Sequence, residues 1–171
     1  LYCKVLKEEG FQVQTPVCGI ETAFKAVYGS GKPVIGILAE YDALSGLSQE
    51  AGSTVRKELV RGGSGHGCGH NMLGAGAMAA AFAVKAYLEE KGQGTVIFYG
   101  CPGEEGGAAK AFMARERLFE ELDVALTWHP GSVNQVTSGT CNSCIQTEYK
   151  FTGIAAHAAG NPHMGRSALD A

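Results

Sequence analysis

Seven consecutive residues, Gly65-His66-Gly67-Cys68-Gly69-His70-Asn71, carry a thiol and two imidazoles in a glycine-rich stretch. Farther along stand an adjacent acidic pair, Glu104-Glu105, and then Trp128-His129-Pro130. Thiolate, imidazole and carboxylate are the donors a zinc-type divalent ion takes. A free carboxylate beside such an ion is what metal-assisted hydrolysis needs. The combination points to an enzyme.

Each residue has a plainer reading beside the chemical one. Cys68 and His70 sit two apart in a turn whose glycines let both side chains face one ion. Alone, they could equally be a small core residue and a helix cap. Glu105 and His129 as further donors turn the reading toward metal. Adjacent carboxylates in extended backbone point to opposite sides, so one can bind the ion while the other serves as general base. The plain alternative, a solvated acidic loop, fits less well between a buried strand and Gly106-Gly107. Asp42 is suited to accept a hydrogen bond from a ligand imidazole and fix its tautomer. Glu40 is either a ligand or a strand-end charge, and His66 is left outside the ligand set. His157, among small residues in Gly153–Gly160, could approach a substrate oxygen or be a surface turn residue. His163 is a weaker candidate.

These side chains need elements to position them. Phe11–Gln14 alternates like a strand, and Thr22–Tyr28 does so loosely. A turn at Gly29–Pro33 precedes Val34–Ala39, a continuous apolar run of the kind buried on both sheet faces. Residues 45–64 form a long polar loop. Asn71 to about Lys91 is a helix stopped by Gly92, Thr95–Tyr99 a second buried strand, Ala108–Phe119 a helix, and Val124–Trp128 a third buried strand. Alternating apolar strands and helices indicate an α/β sheet covered on both faces. Active sites of such sheets gather at the carboxyl ends of the strands, where Glu40-Tyr41-Asp42, Glu104-Glu105 and His129 all fall. From Ile145 to Phe151 the pattern changes to strict alternation, which sets a domain boundary near residue 144.

Composition narrows the class. In 171 residues, 45% are hydrophobic and 18% charged, so a packed interior is expected and disorder is not. A net charge of −3 supplies no basic surface for nucleic acid, so no nucleic-acid partner is expected. No apolar run has membrane-spanning length, so no membrane partner is expected either. No leader peptide is evident, and a cytoplasmic location is the expectation. The six cysteines are dispersed, which favours reduced thiols. Cys141-Asn142-Ser143-Cys144 has the spacing of a redox or zinc pair, but no second pair follows, and a structural role is preferred. Leu1–Lys7 reads as the middle of a helix and Arg166–Ala171 as one just starting, so the chain is expected to be a piece of something longer.

With these motifs in order, the chain resembles the M20 metallopeptidase/amidohydrolase family, in the branch with Cys-Gly-His in place of the usual Asp-containing ligand motif. The resemblance is carried by Gly36–Leu44, Gly65–Asn71, Gly100–Gly107, Leu126–Pro130, and Gly153–His157 with Asn161–Ala171, and spans nearly the whole chain. It implies a zinc-peptidase-like catalytic α/β domain, with a central mixed, largely parallel sheet flanked by helices, covering residues 1–144. The start of an α+β lid and dimerisation domain would follow over 145–171. It implies Cys68, His70, Glu105 and His129 as ligands of a centre with two divalent ions, zinc or manganese. Glu104 would be the general base and His157 the lid histidine that stabilises the oxyanion. The implied reaction is hydrolysis of an amide between an aromatic or acyl group and an amino acid, such as p-aminobenzoyl-glutamate. The implied assembly is a homodimer, or a hetero-oligomer with a related subunit, formed through the lid.

Two positions depart from the pattern: Asn71 stands where many relatives have Asp, and Glu40 where others carry His or Asp. The family's last ligand, a C-terminal histidine, would lie beyond Ala171, so the 171-residue chain alone is expected to be inactive or to hold metal weakly. The rival within enzymes is an aminoacylase or dipeptidase of the same family. The rival outside enzymes is a structural zinc module, which would be closed by four ligands and need no spare carboxylate.

Overall fold

The computed structural model describes residues 1–136, 138–140 and 142–170. They form two compact units, Leu1–Val133 and Asn134–Ala171. The division falls upstream of the boundary expected near residue 144.

In the first unit, helix α1 (Tyr2–Glu8) leads into strands β1 (Gln12–Gln14), β2 (Phe24–Ser30) and β3 (Val34–Ala39). Helix α2 (His70–Lys91), strand β4 (Gly94–Gly100), the single turn α3 (Glu104–Gly107), helix α4 (Ala109–Arg115) and strand β5 (Val124–Leu126) follow. The sheet order is β1-β2-β4-β3-β5. β1 pairs β2 and β2 pairs β4 antiparallel, while β3 pairs β4 and β5 in parallel, so the sheet is mixed with helices on both faces. The expected α/β architecture is the observed one.

Strand β4 explains why its sequence is apolar throughout: every residue from Gly94 to Gly100 is buried. Val96 and Phe98 pack with Leu6 of α1 and with Ala77 and Ala81 of α2 on one face. Ile97 and Tyr99 pack with Met113 of α4, Leu118 and Phe119 on the other. The chain thus runs from β3 to β4 through α2 on one face. It then returns from β4 past β3 to β5 through α4 on the opposite face. That reversal brings the carboxyl ends of β3, β4 and β5 to one edge, where ligands bind in such sheets.

Several expectations need correction. Val124–Leu126 is not a buried strand; it is an exposed edge strand, because β3 is its sole partner among the described residues. The helix expected over Ala108–Phe119 ends at Arg115, and Arg117 turns into a left-handed conformation with φ +63°. Ile145–Phe151 is exposed and forms no strand among the described residues, since no neighbouring strand completes a ladder there. Arg166 forms an antiparallel bridge with Ile154 where a helix start was expected. The Cys141-Cys144 pair cannot be placed, as Cys141 lies outside the described residues. No helix is long and apolar enough to cross a membrane among the described residues.

Candidate active site

Residues 45–64 contain no helix or strand, as expected, and the loop is pinned at its base by Leu44 and Gly65, which exchange backbone hydrogen bonds of 3.0 and 2.9 Å. This closure brings the Cys68 turn back beside Asp42. Gly69 then starts α2 in a left-handed conformation (φ +80°), and a Cβ there would stand 3.1 Å from Pro130 Cγ. Glycine is therefore required at position 69 both by its backbone and by the close approach of the His129-Pro130 segment. That segment is tied to α2 a second time, by Trp128 Nε1 donating to the Leu73 carbonyl at 3.1 Å. Helix α2 and the extension of β5 consequently present His70 and His129 to each other, ring centroids 5.5 Å apart and edge to face.

His70 is buried, with 1% of its surface exposed. Its Nδ1 stands 2.9 Å from Asp42 Oδ1. A carboxylate only accepts, so Nδ1 carries a proton, and a neutral ring offers a bare lone pair at Nε2. That atom is buried without a hydrogen-bond partner. Glu40 Oε2 lies 3.1 Å from it, Glu104 Oε2 and Glu105 Oε1 each 3.9 Å. A lone pair facing three carboxylates is stable only with a cation among them or a proton on the ring.

His129 repeats the arrangement. Its Nδ1 donates to the Pro130 carbonyl at 3.0 Å, so Nε2 faces the cluster and accepts from the Cys68 thiol at 3.3 Å. Donor atoms of Cys68, His70 and His129 all lie within 4.8 Å of one another, as do those of Glu40, His70 and Glu104. Neighbouring donors on a tetrahedral ion are about 3.3–3.8 Å apart when its bonds are about 2.0–2.3 Å long. The 3.3 Å and 3.1 Å separations are close to that edge length, so the residues fit a divalent ion.

The sequence-predicted residues of the first unit therefore meet: Asp42, Cys68, His70, Glu104, Glu105 and His129 share one cluster. Glu104 and Glu105 occupy α3, a single turn following the carboxyl end of β4. They are equidistant from His70 Nε2, so distance does not separate ligand from base. Asp42 bonds the Glu105 amide at 3.0 Å, which fixes the acidic turn against the histidine. A cavity of about 120 Å³ opens beside Glu104, lined also by Cys101, Pro102 and Lys110. At about 30 Å³ per water it admits several, so Glu104 has a wet side. His66 is exposed and outside the cluster. His157 belongs to the second unit, where its Nδ1 accepts the Gly160 amide at 2.9 Å. His163, in the short turn Pro162–Met164, is exposed.

The charges of the cluster shift its acids in opposite senses. Burial pushes the Asp42 carboxyl up, but the Glu105 amide and the His70 imidazole outweigh it, and Asp42 ionises below its ordinary value. The Cys68 thiol is raised, first by its hydrogen bond to Glu105, then by burial and by the charges of Glu105, Glu104 and Glu40. Sequence reasoning missed one member, Lys110, whose ammonium pairs with Glu40 Oε1. A lone lysine in the apolar stretch Ala108–Met113 was the available signal.

Residues 36–164 match the sequence pattern of Peptidase family M20/M25/M40. The chain is 56% identical over 167 residues to one of the two subunits of p-aminobenzoyl-glutamate hydrolase of Escherichia coli K12, covering 97% of this chain and 35% of that protein. It is 33% identical to the Xaa-Arg dipeptidase of Mus musculus, covering 91% of this chain and 34% of the relative. The chain thus spans about a third of the length of these relatives. Its fold matches that of the Bacillus subtilis YXEP protein, described as a dinuclear metal binding peptidase, with a TM-score of 0.55 at 24% identity, over 72% of this chain and 33% of that one.

Proposed function

Because the chain belongs to peptidase family M20/M25/M40, we propose that it forms part of a metal-dependent amidohydrolase cleaving the amide between an aromatic or acyl group and an amino acid, with p-aminobenzoyl-glutamate as the leading substrate. The observation that carries this reading is the pair of histidines whose Nδ1 atoms are both engaged by oxygens and whose Nε2 atoms turn into one cluster, that of His70 without a hydrogen-bond partner and that of His129 against Cys68 Sγ, beside paired carboxylates. The identity to the Escherichia coli hydrolase supports the substrate class.

Cys68, His70, Glu105 and His129 would hold the metal, with zinc favoured by the thiolate and manganese admitted by the carboxylates. The dinuclear description of the Bacillus protein supports two ions per site. A bound divalent ion supplies Lewis acidity, which polarises the amide carbonyl and acidifies water. Asp42 holds the His70 tautomer. Glu104 accepts the proton of the attacking water and returns it to the departing amine nitrogen, so the products are a carboxylic acid and the free amine. His157 has Nδ1 occupied as an acceptor from Gly160, so its proton is on Nε2, the form that the oxyanion-stabilising role proposed for it requires.

The assembly we infer is an oligomer of lid domains. The Escherichia coli hydrolase is named with two different subunits, both similar to this chain, which favours a hetero-oligomer with a related subunit over a homodimer. A lid beginning near residue 145 and a cytoplasmic location belong to the same proposal. The dipeptidase relative favours a second reading, cleavage of a dipeptide by the same machinery. The test is Glu104→Gln in the full-length protein, assayed against p-aminobenzoyl-glutamate, acyl-amino acids and dipeptides. Turnover should vanish while metal content stays. Surviving turnover removes Glu104 as the base, and an inactive wild type with a tightly held single zinc would indicate a structural module instead.

A further inference from the structure

Glu40 is 8% exposed, and a carboxylate that deeply buried needs a compensating charge. In the tautomer that Asp42 favours, with the imidazole proton on Nδ1, His70 offers Glu40 no hydrogen bond, because the atom facing it is Nε2. The compensation comes from α4: the half-buried Lys110 ammonium bonds Glu40 Oε1. Apart from His70, Lys110 is the one cation paired with any of the four carboxylates Glu40, Asp42, Glu104 and Glu105 among the described residues. The other oxygen, Oε2, remains 3.1 Å from the unpartnered His70 Nε2, which is aimed into the same space.

We propose that Lys110 is a positioning residue that competes with the divalent ion for Glu40 and thereby sets how tightly this centre holds metal. The inference rests on the metal-centre reading above. Four carboxylates and the Cys68 thiolate carry five negative charges; two divalent ions supply four positive charges and Lys110 the fifth. The cluster is then neutral with Lys110 in place, and an ammonium already on Glu40 both repels an arriving cation and occupies one of its best oxygen donors. Without Lys110, Glu40 Oε1 loses its charge partner, and both carboxylate oxygens are open to an ion held at His70 Nε2. Hard, oxygen-seeking ions gain most from that extra donor.

The test measures Mn²⁺ and Zn²⁺ affinity by chelator competition on the full-length protein, stripped and reloaded, comparing wild type, Lys110→Met and the double variant Glu40→Gln/Lys110→Met. Lys110→Met should bind Mn²⁺ at least about tenfold more tightly, with a smaller gain for Zn²⁺. The double variant should lose that gain, since the effect passes through Glu40. Unchanged or weaker Mn²⁺ binding by folded Lys110→Met overturns the proposal. Should that variant not fold, amine labelling of Lys110 in the wild type decides: metal loading should increase the labelling, and unchanged or reduced labelling rejects competition. A wild type that takes up no ion at all overturns the metal-centre reading itself, an outcome distinct from a wild type that binds and a variant that binds no better.

Discussion

His70 Nδ1 donates a hydrogen bond to Asp42 Oδ1 at 2.9 Å, and the other Asp42 oxygen accepts the Glu105 amide at 3.0 Å. One carboxylate therefore sets the tautomer of the buried histidine and anchors the acidic turn opposite it. Asp42→Asn should lower metal affinity by about 10–100-fold, the usual cost of losing such a partner. Chelator-competition titration of the full-length variant measures it. Wild-type affinity would show that the His70 tautomer does not matter for the site.

The same carboxylate makes stability depend on pH. Burial raises Asp42, but the Glu105 amide and His70 lower it further, so its folded value lies below the ordinary one. A depressed folded value contributes stability above the unfolded value, and that contribution is lost as pH falls through the folded one. Denaturation of the metal-free protein below about pH 5 should show stability falling with acid, and Asp42→Asn should flatten that slope.

Cys68 titrates in the opposite sense. Its hydrogen bond to Glu105, burial, and the charges of Glu105, Glu104 and Glu40 raise the thiol, so near neutral pH the metal-free protein keeps it protonated. A ligand thiol must ionise, so metal loading should release about one proton from Cys68. Calorimetry in buffers of different ionisation enthalpy counts that proton, and Cys68→Ser should remove it.

Gly74 of α2 faces the Tyr2 hydroxyl, and a Cβ there would stand 2.8 Å from the Glu40 carbonyl oxygen. Alanine ordinarily favours a helix over glycine by about 1 kcal/mol. Here the backbone oxygen cannot step aside cheaply, and Gly74→Ala should destabilise by about 1–3 kcal/mol. Urea denaturation of the variant reads the sign directly.

Much of this was legible in the sequence, for reasons that also explain the rest. Val34–Ala39 and Thr95–Tyr99 read as buried strands because β4 is buried along its whole length and β3, paired on both edges, is half buried and half partly buried, an environment that suits continuous apolar runs. His70–Lys91 read as a helix from its small apolar residues and the glycine that follows. Val124–Leu126 has the same composition yet lies at the sheet edge, because position in the strand order depends on long-range pairing that a local run does not encode. Ile145–Phe151 alternates like a strand without being one, for want of a partner among the described residues. The donors Cys68, His70, Glu104, Glu105 and His129 were visible as residue types at strand ends. Lys110 was not, since its importance comes from reaching Glu40 across seventy residues of chain.

If the converging Nε2 atoms of His70 and His129 mark a divalent-ion centre, the ion itself must be visible between them. Anomalous diffraction from crystals of the full-length protein, collected at the zinc and manganese edges, would locate it. A peak bounded by Cys68 Sγ, His70 Nε2, His129 Nε2 and a Glu105 oxygen is expected. Metal-replete crystals with no anomalous peak among those four side chains would contradict the metal centre.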